Sequence, residues 1–164
     1  MTPLLASCWR AASWAALASA LVACGGGGGA SSQAGCGVPS YVRVVEVATL
    51  PLGRVGQTDR CAEGGTLVEL RSDSLGGTYG VRLAAHELAH AAGFSGHLGD
   101  PDCILYEVVF DYLPAPCPAE LAFMQGVQGQ LSVSDELTSH PGVVQDAITY
   151  WNNALGRPLF VRLP

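Results

Sequence analysis

Four histidines occur in the 164-residue chain, and three of them fall within the twelve residues His86-Glu-Leu-Ala-His90-Ala-Ala-Gly-Phe-Ser-Gly-His97. His86, Glu87 and His90 form an H-E-x-x-H motif. On a helix, residues i and i+4 share a face, so both imidazoles can reach one metal ion. Glu87 points to the ion's open side, where a water can sit. Two nitrogens to fix a zinc ion, with a carboxylate to take a proton from its water, make the chemistry of a zinc hydrolase. The same residues could also be two structural histidines on an ordinary helix. Against that stands a third histidine arriving just past Gly93.

These side chains need a scaffold. Residues 81–92 read as a helix, with Val81, Ala84, Ala85, Leu88 and Ala92 as an apolar stripe at helical spacing and Gly93 as its stop. Its small alanines suit close packing against a sheet. Tyr41–Val47 is β-branched and reads as a strand. Pro51, Gly53 and Gly56 break the chain into a loop. Thr66–Arg71 reads as a second strand, with Glu69 and Arg71 on one face, as an exposed edge strand would have. The prolines of residues 99–118 exclude a long helix there. Residues 119–127 read as a short helix. Pro141 opens a stronger one, with Val144, Ile148, Trp151 and Leu155 as its stripe and Gly156 and Pro158 as its end. Residues 159–163 read as a last strand. The class expected is α+β.

With His86, Glu87, His90 and Gly93 in place, the stretch resembles the metzincin metalloproteases, whose signature is H-E-x-x-H-x-x-G-x-x-H. The final histidine of that signature falls on Gly96, and His97 stands one residue later. From His97 on, His97-Leu-Gly-Asp-Pro-Asp-Cys-Ile-Leu-Tyr106 is similar to the matrixin stretch H-x-x-D-P-x-x-x-M-Y at equal spacing. The insertion is thereby confined to residues 94–96. The Met-turn methionine is replaced by Leu105, a near-isosteric apolar floor, with Met124 as the other candidate for that place.

The resemblance implies a twisted sheet packed on the active-site helix, Zn²⁺ held by His86, His90 and His97, and Glu87 as general base. It also implies an edge strand, here Thr66, Leu67, Val68, Glu69 and Leu70, that pairs with an extended peptide or protein substrate. Residues 108–116 would border the pocket beyond the cut. Asp100, Glu107 and Glu120 remain alternative third ligands, and His140 reads as a loop residue. Metzincins usually place a long helix and a strand ahead of the sheet strands. Here residues 142–161, with a W-N-x-A-x-G-x-x-L-F pattern, resemble that helix and strand at the other end. A circularly permuted order is therefore expected, with the helix beside the active-site helix and residues 159–163 paired to residues 42–47. An ordinary C-terminal helix filling the core is the alternative.

The function this implies is that of a zinc-dependent endopeptidase. The rival readings are a non-catalytic zincin-fold lipoprotein that binds a protein partner and a zinc amidase acting on cell-wall peptides.

Residues 1–23 carry one charge, Arg10, followed by an apolar run too short for a comfortable span and fitting a secretory signal. The run ends Leu21-Val22-Ala23-Cys24, which resembles the bacterial lipobox and implies a lipid anchor on Cys24. An ordinary signal peptide with an incidental cysteine is the alternative. Residues 24–35 form a Gly-rich tether, and residues 36–164 form one catalytic domain. Gly25, where enteric lipoproteins kept in the inner membrane carry aspartate, leans to the outer membrane. Of the six cysteines, Cys8 leaves with the signal and Cys24 takes the lipid. Cys36, Cys61, Cys103 and Cys117 remain, an even number for an oxidising compartment. Four cysteines allow three pairings. Cys36–Cys61 and Cys103–Cys117 each close a local loop on a different side of the motif. A cysteine zinc site is the alternative, though no C-x-x-C pair exists. All eight basic residues are arginine; without Arg10, seven face fourteen acids, a net charge near −7. No basic patch points to nucleic acid, and a monomer is expected.

Overall fold

A helix with eleven buried residues needs a partner on every side, and the rest of the chain supplies them. In a computed structural model, which describes residues 40–164, helix α1 (Gly77–Ala91) buries Gly80 and every residue from Arg82 to Ala91. It is the middle of the molecule rather than a one-sided surface helix. It begins earlier than residue 81 because the glycines there serve the fold. A Cβ on Gly80 would run into the Leu75 backbone, so only glycine lets the helix start so close to the preceding turn.

The sheet has five strands in the order β2-β3-β1-β4-β5. They are β1 (Tyr41–Val47), β2 (Gly56–Asp59), β3 (Thr66–Arg71), β4 (Leu131–Asp135) and β5 (Phe160–Arg162). β1 runs parallel to both β3 and β4, and β4 runs parallel to β5. β2 is antiparallel to β3 and forms one edge. Together with α1, α2 (Pro118–Gly126) and α3 (Val143–Leu155), this is an α+β fold with a mixed sheet. Val42, Val44, Val68, Leu70, Leu131, Val133 and Phe160 are buried in one core with Leu83 and Leu88 of α1 and Val144, Ile148 and Trp151 of α3. On β3, buried Thr66, Val68 and Leu70 alternate with half-exposed Leu67, Glu69 and Arg71, the two-residue period of a sheet covered on one face.

α3 packs against α1, and the buried Trp151 indole donates from Nε1 to the Ala85 carbonyl, 2.8 Å away. Gly156, at φ 64°, ends α3. Asn152 then ties the helix to β5. Its Oδ1 accepts the Leu159 and Phe160 amides, and its Nδ2 donates to the Phe160 carbonyl.

Two expectations from the sequence are corrected here. β3 is not an edge strand. Leu67–Leu70 pairs with β2 on one side and with β1 on the other, so Thr66, Leu67, Val68, Glu69 and Leu70 are not an open edge for a peptide. The strand that covers them, Gly56-Gln-Thr-Asp59, is short, polar and opened by glycine, so it reads as loop. Residues 159–163 do not pair with β1 either. β4, whose Leu131 and Val133 alternate with serines, lies between them. The expected signal peptide, lipid anchor on Cys24, Gly-rich tether and Cys36–Cys61 pairing fall wholly or partly on residues outside the described ones. Among the described residues, no helix is long and apolar enough to cross a membrane.

Candidate metal centre

His86 and His90 stand one turn apart on α1, on the same face, as the i, i+4 spacing requires. Their Nε2 atoms are 3.0 Å apart. His97 arrives from the loop beyond the helix, its ring centroid 5.3 Å from that of His86 and 5.2 Å from that of His90. One nitrogen from each ring lies within 4.8 Å of the others. Zn–N bonds of about 2.0–2.1 Å put tetrahedral ligand atoms about 3.3 Å apart, so the spacing suits one ion.

The outer nitrogens of the two helix histidines are engaged by backbone oxygens. His86 Nδ1 lies 2.8 Å from Ile104 O, and His90 Nδ1 lies 2.9 Å from Phe94 O. A carbonyl only accepts, so each Nδ1 carries a proton, and in the neutral ring each Nε2 then presents a lone pair to the centre. Two lone pairs facing each other at 3.0 Å cannot hydrogen-bond; a shared cation satisfies both. His97 Nε2 is likewise buried with no hydrogen-bond partner. Three convergent imidazole nitrogens therefore fit a zinc-type ion. Burial, then the neighbouring charge of His90, holds His86 well below its ordinary pKa of 6.5 despite the pull of the Ile104 carbonyl. The same two causes lower His97, against an upward pull from Glu107. Neutral rings are the form that binds metal.

The stretch between Gly93 and His97 turns through two left-handed glycines, Gly93 at φ 111° and Gly96 at φ 79°. Between them Phe94 is pinned. Its amide donates to the Ala89 carbonyl, and its ring meets Phe123 of α2 edge-on at 5.0 Å. The next anchor is at residue 98, where the Leu98 amide donates to the Leu105 carbonyl at 2.8 Å and Leu98 bridges in parallel to Tyr106. The stretch 104–106 thus runs beneath both His86 and His97. Ile104 and Leu105 are wholly buried there.

Glu87, 1% exposed, turns away from its neighbours on α1 toward the sheet edge. Thr58 Oγ1 of β2 is 2.7 Å from Glu87 Oε2 and donates to it, with the Glu87 carbonyl at 3.1 Å. Gly56 gives the other carboxylate oxygen its room. A Cβ there would stand 2.6 Å from Glu87 Oε1 and 3.0 Å from a Leu83 methyl. The edge strand and the glutamate are therefore in direct contact.

Other candidates do not join this cluster. Asp100 is exposed, and its Oδ1 accepts the Asp102 amide. Glu107 is exposed. Glu120 is wholly buried, but its two oxygens take the amides of Leu105 at 2.6 Å and Cys117 at 2.7 Å. Met124 is a buried core residue of α2. His140 lies on the surface loop before α3, bonded to Ser139. Cys103 and Cys117 form the expected disulfide. Cys61 is disulfide-bonded as well.

Two contributors went unread in the sequence. Thr58 sits on β2, whose sequence reads as loop. Arg82 stands four residues before His86 and eight before His90, in line with both, and that spacing was a usable signal. Wholly buried, it donates to the carbonyls of Pro101, Cys103 and Tyr112 and lies under the Tyr112 and Phe110 rings at 4.5 and 5.4 Å. It holds the loop that closes the centre. Compared with known proteins, the chain matches no family model, no curated protein and no solved structure.

Proposed function

We propose that the chain is a zinc-dependent endopeptidase of metzincin type. The observation that carries this reading is the meeting of three imidazoles, His86, His90 and His97, and the next residue of the helix after His86, Glu87, adds a buried carboxylate held by Thr58 of the edge strand. The three histidines hold the ion. Bound zinc supplies a Lewis acid for a peptide carbonyl and a nucleophilic water at neutral pH. Glu87 takes the proton of the attacking water and passes it to the leaving amine. The Thr58 hydroxyl keeps the Glu87 carboxylate oriented for that transfer.

The extended substrate docks on the outer edge of β2, not on β3. Backbone pairing along Gly56–Asp59 brings a peptide past Glu87, and such pairing makes few demands on substrate side chains. Residues 108–116, fixed from below by Arg82, border the pocket on the far side of the cut. A permuted metzincin order is supported by the unit β4–α3–β5. It lies in the same sheet as β1, and its helix packs on α1. Set ahead of β1, it provides the helix and strand that the family resemblance calls for. Export with a lipid anchor on Cys24, at the outer membrane, agrees with the Cys103–Cys117 disulfide, which needs an oxidising compartment.

The test is purified protein assayed for zinc and for cleavage of a mixed peptide library, with and without chelator. Cleavage that needs zinc supports the reading. A zinc-loaded protein that cleaves no peptide supports the binding-module rival, and release of cell-wall stem peptides alone supports the amidase.

A further inference from the structure

One peptide group stands between the metal centre and a carboxylate that the reaction does not use. Its oxygen, on Ile104, accepts from His86 Nδ1 at 2.8 Å. Its amide, on Leu105, donates to Glu120 Oε1 at 2.6 Å. The next carbonyl, on Leu105, accepts the amide of Leu98, the residue after His97. The carbonyl before, on Cys103, accepts from Arg82. Three consecutive residues thus carry the backbone bonds that place two of the three histidines.

Glu120 secures this stretch from the side away from the metal. Its second oxygen takes the Cys117 amide at 2.7 Å, as the third residue of a capping box at the start of α2. Cys117 is in turn disulfide-linked to Cys103, the residue before Ile104. Capping alone does not account for the arrangement. A capping glutamate needs one oxygen and works at the surface, whereas this one is wholly buried and spends its other oxygen fifteen residues back in the chain. A buried carboxylate is kept only where its hydrogen bonds are met.

We propose that Glu120 is a positioning residue for the metal centre. It locks the 104–105 peptide, and through it the ring orientation and Nδ1–H tautomer of His86 and the approach of His97. A carboxylate on the amide side also polarises the peptide group, so its carbonyl accepts more strongly from His86 Nδ1–H and makes Nε2 a better donor to metal. The zinc consequence rests on the metal reading above. The tautomer consequence does not.

The experiment uses the full chain with ¹⁵N-labelled histidine, at a pH well above the imidazole range. It reads the His86 tautomer by NMR without metal, and zinc affinity by competition with a chromophoric chelator. Glu120→Gln can accept only one of the two amides. It is expected to give His86 a mixed tautomer and to weaken zinc on the order of 10- to 100-fold. Glu120→Asp, which keeps the charge but cannot span both amides, gives a smaller loss on both readouts and serves if the glutamine variant does not fold. Asn152→Ala, which removes the tie between α3 and β5, lowers thermal stability but leaves both readouts unchanged. A Glu120 variant with the wild-type tautomer and wild-type zinc affinity overturns the proposal. So does an equal loss in Asn152→Ala. A wild-type protein that binds no zinc, yet loses its His86 tautomer in Glu120→Gln, overturns the metal reading and upholds the positioning role.

Discussion

A carboxylate one residue from a metal-ligating histidine can act on water only if something holds it in place. On α1 that is done by β2, through the Thr58 hydroxyl and the bare Cα of Gly56. Replacing Glu87 with glutamine keeps the shape and removes the proposed base. Zinc content should stay at the wild-type level while kcat falls by about 10²–10⁴, measured on the best library peptide. Thr58→Val should lower kcat with little change in KM, and Thr58→Ser should restore it, since only the hydroxyl matters. The histidines give a pH prediction whose sign follows from burial. His86 and His97 are both lowered below their ordinary value of 6.5. Below that pH the unfolded chain takes up protons that the folded chain refuses. Stability of the metal-free protein is therefore fully present above pH 6.5 and is lost progressively as pH falls from there toward the depressed folded values. Chemical denaturation across that range should show the slope, and His86→Gln should flatten it.

At the scale of elements, what the sequence revealed depended on how much of each signal was local. α3 is legible because its stripe, its opening proline and its closing Gly156 all lie within the segment. β1 and β3 are legible from β-branched runs. β2 is not, because Gly56, Gln57, Thr58 and Asp59 carry no alternation, and they form a strand only because β3 offers an edge. That one hidden strand turned the expected substrate edge into an interior strand. The meeting of His97 with the helix histidines was readable from their spacing, and two glycines take the left-handed turns around Phe94 that bring it back. The spacing of Arg82 was a usable signal, but its partners, and the Leu105 partner of Glu120, were not legible, because they are backbone groups 15 to 30 residues away. The disulfide across that loop, with a sequence separation of 14, should contribute about 3 kcal/mol. Replacing both Cys103 and Cys117 with serine is expected to cost that much in urea titration. Zinc affinity should fall with it, because the 104–105 peptide loses one of its two anchors.

For the whole molecule, a small domain with a central helix buried on every face depends on the helix laid against it. Trp151 is the largest fully buried side chain at that junction and also satisfies the Ala85 carbonyl. Trp151→Ala should lower stability by about 3–5 kcal/mol, with loss of metal binding following global unfolding rather than preceding it. The sheet, α3 and the disulfide-closed loop all converge on holding three imidazoles at one point. The most direct measurement of that claim is zinc stoichiometry and affinity for the wild-type chain against His97→Ala. One tightly bound zinc per wild-type chain, with affinity lower by orders of magnitude in His97→Ala, is the expected result. A wild-type chain that takes up no zinc, or a His97→Ala chain that binds it as tightly, would contradict a three-histidine centre.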